Sequence, residues 1–274
     1  MAQIAIFQSC SGIDPDANAA TLVEIVREAA EGGAAMLFTP EMSGLVDGDR
    51  ERSAGMIRSE GEDVVLEAVR AAAKANGIWV HLGSLALRID GGKRVNRAFV
   101  IDPDGAIIGR YDKMHLFDVD LPTGESWRES AVYRAGSGPV VVRGTPVGSL
   151  GLTICYDLRF PAMFERLSEA GADVIAVPAA FTVLTGEAHW HVLLRARAIE
   201  AGLFVVAAAQ SGQHEDGRAT YGHSLVVDPW GTVLVDGGEG EKLLLVEIDL
   251  DRSAQVRSRI PVLSHRRPIG PASD

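Results

Sequence analysis

The sequence predicts an α/β fold built from two similar halves. Short apolar runs alternate with stretches of helical spacing, this alternation repeats in the second half, and two segments of the first half match two of the second. Residues 31–40, Glu-Gly-Gly-Ala-Ala-Met-Leu-Phe-Thr-Pro, match residues 169–178, Glu-Ala-Gly-Ala-Asp-Val-Ile-Ala-Val-Pro. Residues 98–105, Ala-Phe-Val-Ile-Asp-Pro-Asp-Gly, match residues 224–231, Ser-Leu-Val-Val-Asp-Pro-Trp-Gly.

Residues 3–8 read as the first strand. Asp14-Pro15 then opens a helix, Asp as N-cap and Pro in the first turn. Leu22, Ile25, Val26 and Ala29 follow at helical spacing, and Gly32-Gly33 closes it. Residues 34–38 form a short strand stopped by Pro40, and residues 45–60 a polar loop. A helix is expected over 63–76, ended by Gly77, then a strand over 78–85. Residues 95–101 and 106–111 form a hairpin around Asp102-Pro103-Asp104-Gly105. In the second half the reading gives a strand over 147–154, a helix over 160–170 and a strand over 173–177. A helix over 188–201, a strand over 203–209 and a hairpin of 224–227 with 232–235 follow. The runs at 174–177 and 203–209 are almost wholly apolar, which fits sheets covered on both faces. Two similar sheets would then pack face to face, with helices outside. No linker is visible, so residues 1–274 read as a single domain. Residues 252–274 form a polar tail in which Pro261 and Pro268 break any long helix.

Composition narrows the function. The chain has 274 residues, 47% hydrophobic and 23% charged, enough to bury a core. A net charge of −11 repels phosphate backbones and argues against nucleic acid as a partner. Two cysteines, Cys10 and Cys155, are too few for a disulfide framework and fit a reducing compartment. No apolar run approaches the roughly 20 residues that span a bilayer, so no membrane is expected. No basic region precedes the first apolar residues, so the start reads as a strand rather than a signal peptide, and the expected location is the cytoplasm.

Three residues carry chemistry. Cys155 follows the apolar stretch Gly-Ser-Leu-Gly-Leu-Thr-Ile and precedes Tyr-Asp-Leu-Arg-Phe-Pro, which enters a helix. A cysteine on a strand-to-helix turn is exposed, lies near the positive end of a helix dipole that favours thiolate, and has backbone N–H groups nearby for an oxyanion. Cys10 has no such context and reads as structural. Glu41, in Thr-Pro-Glu-Met-Ser-Gly after an apolar strand, suits a general base. Lys113, in Arg-Tyr-Asp-Lys-Met-His-Leu-Phe-Asp at a hairpin end, could steady both a thiolate and an oxyanion.

These three motifs, in this order and spacing, resemble the Glu-Lys-Cys triad of the nitrilase, or carbon–nitrogen hydrolase, superfamily. The similarity extends along essentially the whole chain. Residues 186–200, 205–210 and 221–231, with the tail His265-Arg266-Arg267-Pro268, resemble its Nit branch. The resemblance implies a four-layer αββα sandwich, a homodimer or higher homo-oligomer that packs helix layers together, and a thioester mechanism without metal or organic cofactor. It also implies catalytic roles for Glu41, Lys113 and Cys155 and a second active-site glutamate, for which Glu129 is preferred over Glu125. The backbone N–H of Tyr156 would help to hold the oxyanion. Arg159 would anchor a substrate carboxylate, with Phe181, Thr185 and His189 lining the pocket. The implied reaction is hydrolysis of a small carboxylate-bearing carboxamide to acid and ammonia. Deaminated glutathione is the leading substrate, with alpha-ketoglutaramate and alpha-ketosuccinamate, acted on by omega-amidases, as the alternative; nitrilase, carbamoylase and N-acyl transferase activities stand further off.

Other motifs are set aside at this stage. His189-Trp190-His191 has a His-x-His look, but no Cys or carboxylate cluster completes a metal site. His115 and His223 read as structural. Gly-x-Gly at 136–138 and 238–240 lacks the setting of a phosphate loop. A cysteine protease would need a Cys–His pair, whereas the surroundings of Cys155 suit a lysine-assisted site. A catalytically silent scaffold would bury Cys155 and slow its alkylation, whereas an enzyme would leave it reactive.

Overall fold

The computed structural model describes residues 1–122, 124 and 126–270. The first half runs β1 (Ala2–Gln8), α1 (Pro15–Glu31), β2 (Met36–Phe38), α2 (Arg50–Ala54), α3 (Val64–Asn76), β3 (Trp79–Arg88), β4 (Arg94–Ile101) and β5 (Ile107–Asp112). A small ribbon, β6 (Asp118–Asp120) with β7 (Ser126–Arg128), leads to β8 (Val140–Thr145) and β9 (Gly148–Leu152). The second half continues with α4 (Pro161–Glu169), β10 (Val174–Ala176), α5 (Val183–Ala201) and β11 (Phe204–Ala207). After a second ribbon, β12 (Ser211–Gln213) with β13 (Ala219–Tyr221), come β14 (Leu225–Val227), β15 (Val233–Asp236), β16 (Lys242–Ile248), α6 (Asp251–Arg259) and α7 (Val262–His265).

Two six-stranded sheets form, ordered β16-β1-β2-β3-β4-β5 and β15-β14-β11-β10-β9-β8. Each has three central parallel strands, β1-β2-β3 or β9-β10-β11, flanked by antiparallel ones. The halves therefore repeat one plan, with α1 and α3 of the first corresponding to α4 and α5 of the second. Alternation along β1 shows the layering. Ile4 and Ile6 belong to the core that also holds Leu150, Leu152 and Val174 of the other sheet. Ala5 and Phe7 belong to the core with Leu22 and Val26 of α1 and Val69 of α3. On the far side, Trp190 and Leu194 of α5 are buried with Val205 of β11. The layers are helix, sheet, sheet, helix, as the resemblance implied.

Local chemistry explains most boundaries. The Asp14 carboxylate caps α1 by accepting from Asp16 N at 3.0 Å, and Asp63 caps α3 through Leu66 N at 2.9 Å. Gly77 ends α3 in the left-handed conformation. Four expectations need correction. Helix α5 starts at Val183, not 188. Gly186 is an interior residue of that helix, and its missing side chain admits the Tyr221 ring. The polar loop 45–60 contains α2, capped by Asp49. The tail from 252 folds into α6 and α7, separated near Pro261. Strand β16, unassigned in the sequence, extends the first sheet along β1.

His81 on β3 is 1% exposed, and neither ring nitrogen has a partner among the described residues. Burial pushes its pKa down to about 3. The folded value lies below the unfolded one, so the neutral ring costs nothing above about pH 6.5, and stability drains away as pH falls toward 3. Urea unfolding of wild type and His81→Leu checks this. Between pH 7 and pH 5 the wild type should lose about 2 kcal/mol more than the variant. Equal losses would show that His81 is protonated without penalty.

Candidate active site

Glu41, Lys113 and Cys155 come from three separate strand ends and meet in the interior. Pro40 stops the chain just past β2, and Gly83 on β3 lets that chain pack closely: a Cβ on Gly83 would lie 2.0 Å from Thr39 O and 2.4 Å from Pro40 O. The Glu41 side chain is buried and held by three donors. Lys113 Nζ and Asn96 Nδ2 each lie 2.9 Å from Oε1, and Ala180 N lies 2.9 Å from Oε2. Lys113 follows β5 and is 3% exposed. Its ammonium also binds the Glu129 carboxylate, at 3.0 Å to Oε2 and 3.2 Å to Oε1. Glu129 is fixed in turn by Phe117 N, 2.7 Å from Oε2. Lys113 thus bridges two carboxylates, Glu41 and Glu129. Glu125, the competing candidate, lies outside the described residues.

Cys155 opens a 3-10 turn, Cys155–Arg159, beyond β9, with φ of 48°. A non-glycine residue in that region is strained, and the turn must be clamped to hold it. Asp157 is the clamp. Its buried carboxylate accepts from Ile154 N at 2.9 Å, His115 N at 3.0 Å and Tyr111 OH at 2.7 Å, with His115 Nδ1 at 2.7 Å. These bonds tie the cysteine turn to residues 111–115, which carry Lys113. His115 also stacks on Phe160, 3.6 Å between ring centres.

The electrostatics correct the thiolate expectation. Helix α4 begins only at Pro161, so Cys155 opens the short 3-10 turn before it and does not stand at the N-terminus of the α-helix. Burial, then the Glu41 carboxylate, pushes the Cys155 thiol well above its usual range, against the opposing pull of Lys113 and Ala180 N–H. Burial alone would depress Lys113, but Glu129 and Glu41 outweigh it and hold the ammonium well above the usual lysine range. The Cys155 thiol thus stands beside the Lys113 ammonium and the Glu41 carboxylate, with its proton held more tightly than in a free cysteine.

Cys155 is 8% exposed, and it lines a cavity of about 590 Å³. That volume falls within the range of about 300–1,000 Å³ typical of ligand pockets. Glu41, Lys113 and Glu129 line it as well.

A family model described as carbon–nitrogen hydrolase matches residues 3–258. The chain belongs to the carbon–nitrogen hydrolase family. It is 40% identical over 269 residues to a deaminated glutathione amidase of Bos taurus, covering 97% of this chain and 82% of that one. The NitFhit protein of C. elegans superposes with a TM-score of 0.90 at 38% identity, covering 97% of this chain and 65% of that longer one. A mutant amidase of Nesterenkonia sp. AN1, with acrylamide added at its active-site cysteine, superposes with a TM-score of 0.78 at 28% identity, covering 95% and 98%.

This hydrolase places the other expected residues unequally. Tyr156, Arg159, Phe181 and Thr185 line the cavity. The Arg159 guanidinium lies 5.2 Å from the centre of the Phe181 ring and 5.9 Å from that of Tyr156. The Thr185 hydroxyl meets that of Thr182 at 2.9 Å. His189 does not line the cavity; its Nδ1 lies 3.2 Å from Arg159 Nη1, behind the guanidinium. The His-x-His pair diverges on α5. His191 instead shares Asp236 with His223, at 3.0 and 2.9 Å, and these three place possible ligand atoms within 4.8 Å of one another. A carboxylate thus does join two histidines, contrary to the sequence reading, but a different pair and outside the cavity lining. Cys10 also stands outside that lining, its Sγ 3.5 Å from Gln213 O. Asn96, Tyr111 and Asp157 were missed as supports of the site.

The charge arrangement gives a test. In a Cys10→Ser background, thiolate absorbance should show Cys155 titrating above the usual value near 9. Glu41→Gln removes a charge that raises the thiol and should move the midpoint down. A wild-type midpoint below 8, or an upward shift in the variant, would contradict the resting state described.

Proposed function

We propose that this hydrolase is an amidase that cleaves deaminated glutathione through a thioester on Cys155. The observation that carries the reading is the convergence of Glu41, Lys113 and Cys155 on one cavity, in a chain that shares its family with a deaminated glutathione amidase. Glu41 takes the Cys155 proton as the sulfur attacks the amide carbonyl and a C–S bond forms. The Lys113 ammonium and the Tyr156 N–H face the oxyanion. The C–N bond then breaks and the amine leaves with the proton held by Glu41. Water attacks the thioester with Glu41 again as base, releasing the acid and restoring the thiol. Glu129 keeps Lys113 in place throughout, and Arg159 takes the carboxylate of the acyl portion.

Deaminated glutathione is 2-oxoglutaryl-cysteinylglycine. Its amides are secondary, so the leaving group is an amine, cysteinylglycine, and the ammonia expected from sequence applies only to primary amides such as alpha-ketoglutaramate. The two substrates share their acyl half and differ in what leaves. Release of 2-oxoglutarate from each should be followed with wild type and Cys155→Ala. Preference for deaminated glutathione, with the variant slower by more than about a thousandfold, is the expected outcome. Preference for alpha-ketoglutaramate would make the protein an omega-amidase, and undiminished turnover by Cys155→Ala would remove the cysteine from the mechanism.

A homodimer is part of the same reading. Val192 and Ile199 on α5 are 68% and 49% exposed, and Trp230 beside them is 51% exposed. Gly231 packs against Ile199, and Arg195 Nε donates to Gly231 O at 2.8 Å, which joins this turn to α5. An apolar face of this kind suits burial against a second copy. Trp230→Glu should shift the sedimenting species toward monomer; an unchanged dimer would place the interface elsewhere. Among the described residues no helix is long and apolar enough to cross a membrane. Two unpaired cysteines fit the reducing cytoplasm.

A further inference from the structure

Five arginines line the cavity: Arg50, Arg94, Arg128, Arg159 and Arg218. In a chain of net charge −11 this is a local reversal of sign. Two of the five are committed, Arg128 to Asp120 at 2.8 Å and Arg218 to Asp216 at 2.7 Å. Arg50, Arg94 and Arg159 pair with no carboxylate among the described residues. Arg159 belongs to the wall formed by the cysteine turn, Phe181 and α5. Arg94 belongs to another wall, at the start of β4, where its backbone is held between Val132 O and Arg134 N. Its Nη1 reaches only the Ser53 hydroxyl of α2, at 3.4 Å. The Tyr133 hydroxyl lies against the same guanidinium, close to Glu129. Arg50, at the exposed end, makes a single long contact, 3.5 Å to Arg128 O.

One cationic wall is enough for the acyl half, which carries a single carboxylate. The second half-buried guanidinium, flanked by two hydroxyls and paired with no carboxylate among the described residues, is unexplained by a leaving group as small as ammonia. We propose that Arg94, with Arg50 outside it, forms a second anion subsite that binds a carboxylate on the leaving-group half of the substrate. The substrate class is then an amide charged at both ends, and this subsite, not the triad, discriminates deaminated glutathione from small primary amides. Ser53 and Tyr133 orient the guanidinium and leave its outer N–H groups for a bidentate pair. This inference rests on the amidase reading above.

The test uses the full-length enzyme with deaminated glutathione and with an analogue whose glycine carboxylate is capped as a neutral N-methylamide. Wild type should prefer the free acid by tenfold or more in kcat/KM. Arg94→Gln should abolish that preference, chiefly through a higher KM for the acid, and Arg94→Lys should restore part of it. A preference that survives in Arg94→Gln, or equal losses on both substrates, would overturn the subsite while leaving the amidase standing. Failure of the wild type to cleave either compound, with alpha-ketoglutaramate turned over, would overturn the parent reading and the subsite together.

Discussion

The buried ammonium of Lys113 is the constraint on which the rest of the site depends. It lies between Glu41 and Glu129, two carboxylates that could not otherwise share a dry interior. Charge burial of this kind is costly, and taking away one member leaves the others uncompensated, at a cost of several kcal/mol. The arrangement is therefore tolerated only with good geometry and further donors. Asn96 Nδ2 lies 2.9 Å from Glu41 and 3.4 Å from Glu129, and Ala180 N and Phe117 N complete the two carboxylates. The same ammonium favours negative charge on the sulfur, so the group that compensates the two carboxylates also opposes the effect of burial on Cys155.

The paired halves explain how the cluster is assembled. Strand pairing sets Ile4 beside Met36 in one half and Leu150 beside Val174 in the other. Extended along the chain, that register makes Ser9 the counterpart of Cys155 and Ala179 the counterpart of Glu41. Each half thus supplies one of the two groups, Glu41 after the second strand of the repeat and Cys155 after the first, while its counterpart in the other half is Ala179 or Ser9. The segment at Ala179 is still used, since Ala180 N–H beside that counterpart donates to Glu41. Packing the sheets face to face brings the two strand ends together, and the extension of β5 carries Lys113 between them.

Legibility from sequence tracked how local the determining physics was. Caps at Asp14 and Asp63 and glycine ends gave helix boundaries because those interactions span only a few residues. The convergence of Glu41, Lys113 and Cys155 was legible because each stands in a distinctive motif. The reason for Gly186 inside α5 lies across space, under the Tyr221 ring, and was not legible. The thiolate expectation misled for the same cause. A helix dipole can be inferred from residues 156–161, next to Cys155 in the chain, but burial and a carboxylate arriving from residue 41 cannot. His189 fell behind Arg159 because direction around a helix decides which side chain reaches the cavity, and here the guanidinium intervenes.

The arrangement of charge around the cavity bears on what the enzyme distinguishes. In the proposed mechanism the chemistry is indifferent to the rest of the amide, since Glu41, Lys113 and Cys155 act only on the carbonyl carbon, its oxygen and the departing nitrogen. Selectivity must come from groups farther away that gain from binding one substrate and lose by accepting another. A half-buried guanidinium that meets no carboxylate among the described residues is such a group, because its desolvation is compensated when an anion arrives. Arg159 and Arg94 stand on different walls, so a single carboxylate satisfies one and leaves the other exposed to that penalty. A substrate with a carboxylate on each side of the scissile bond satisfies both and is held with its carbonyl between them. Placement of the reacting atoms would then be set by charges at the two ends of the substrate.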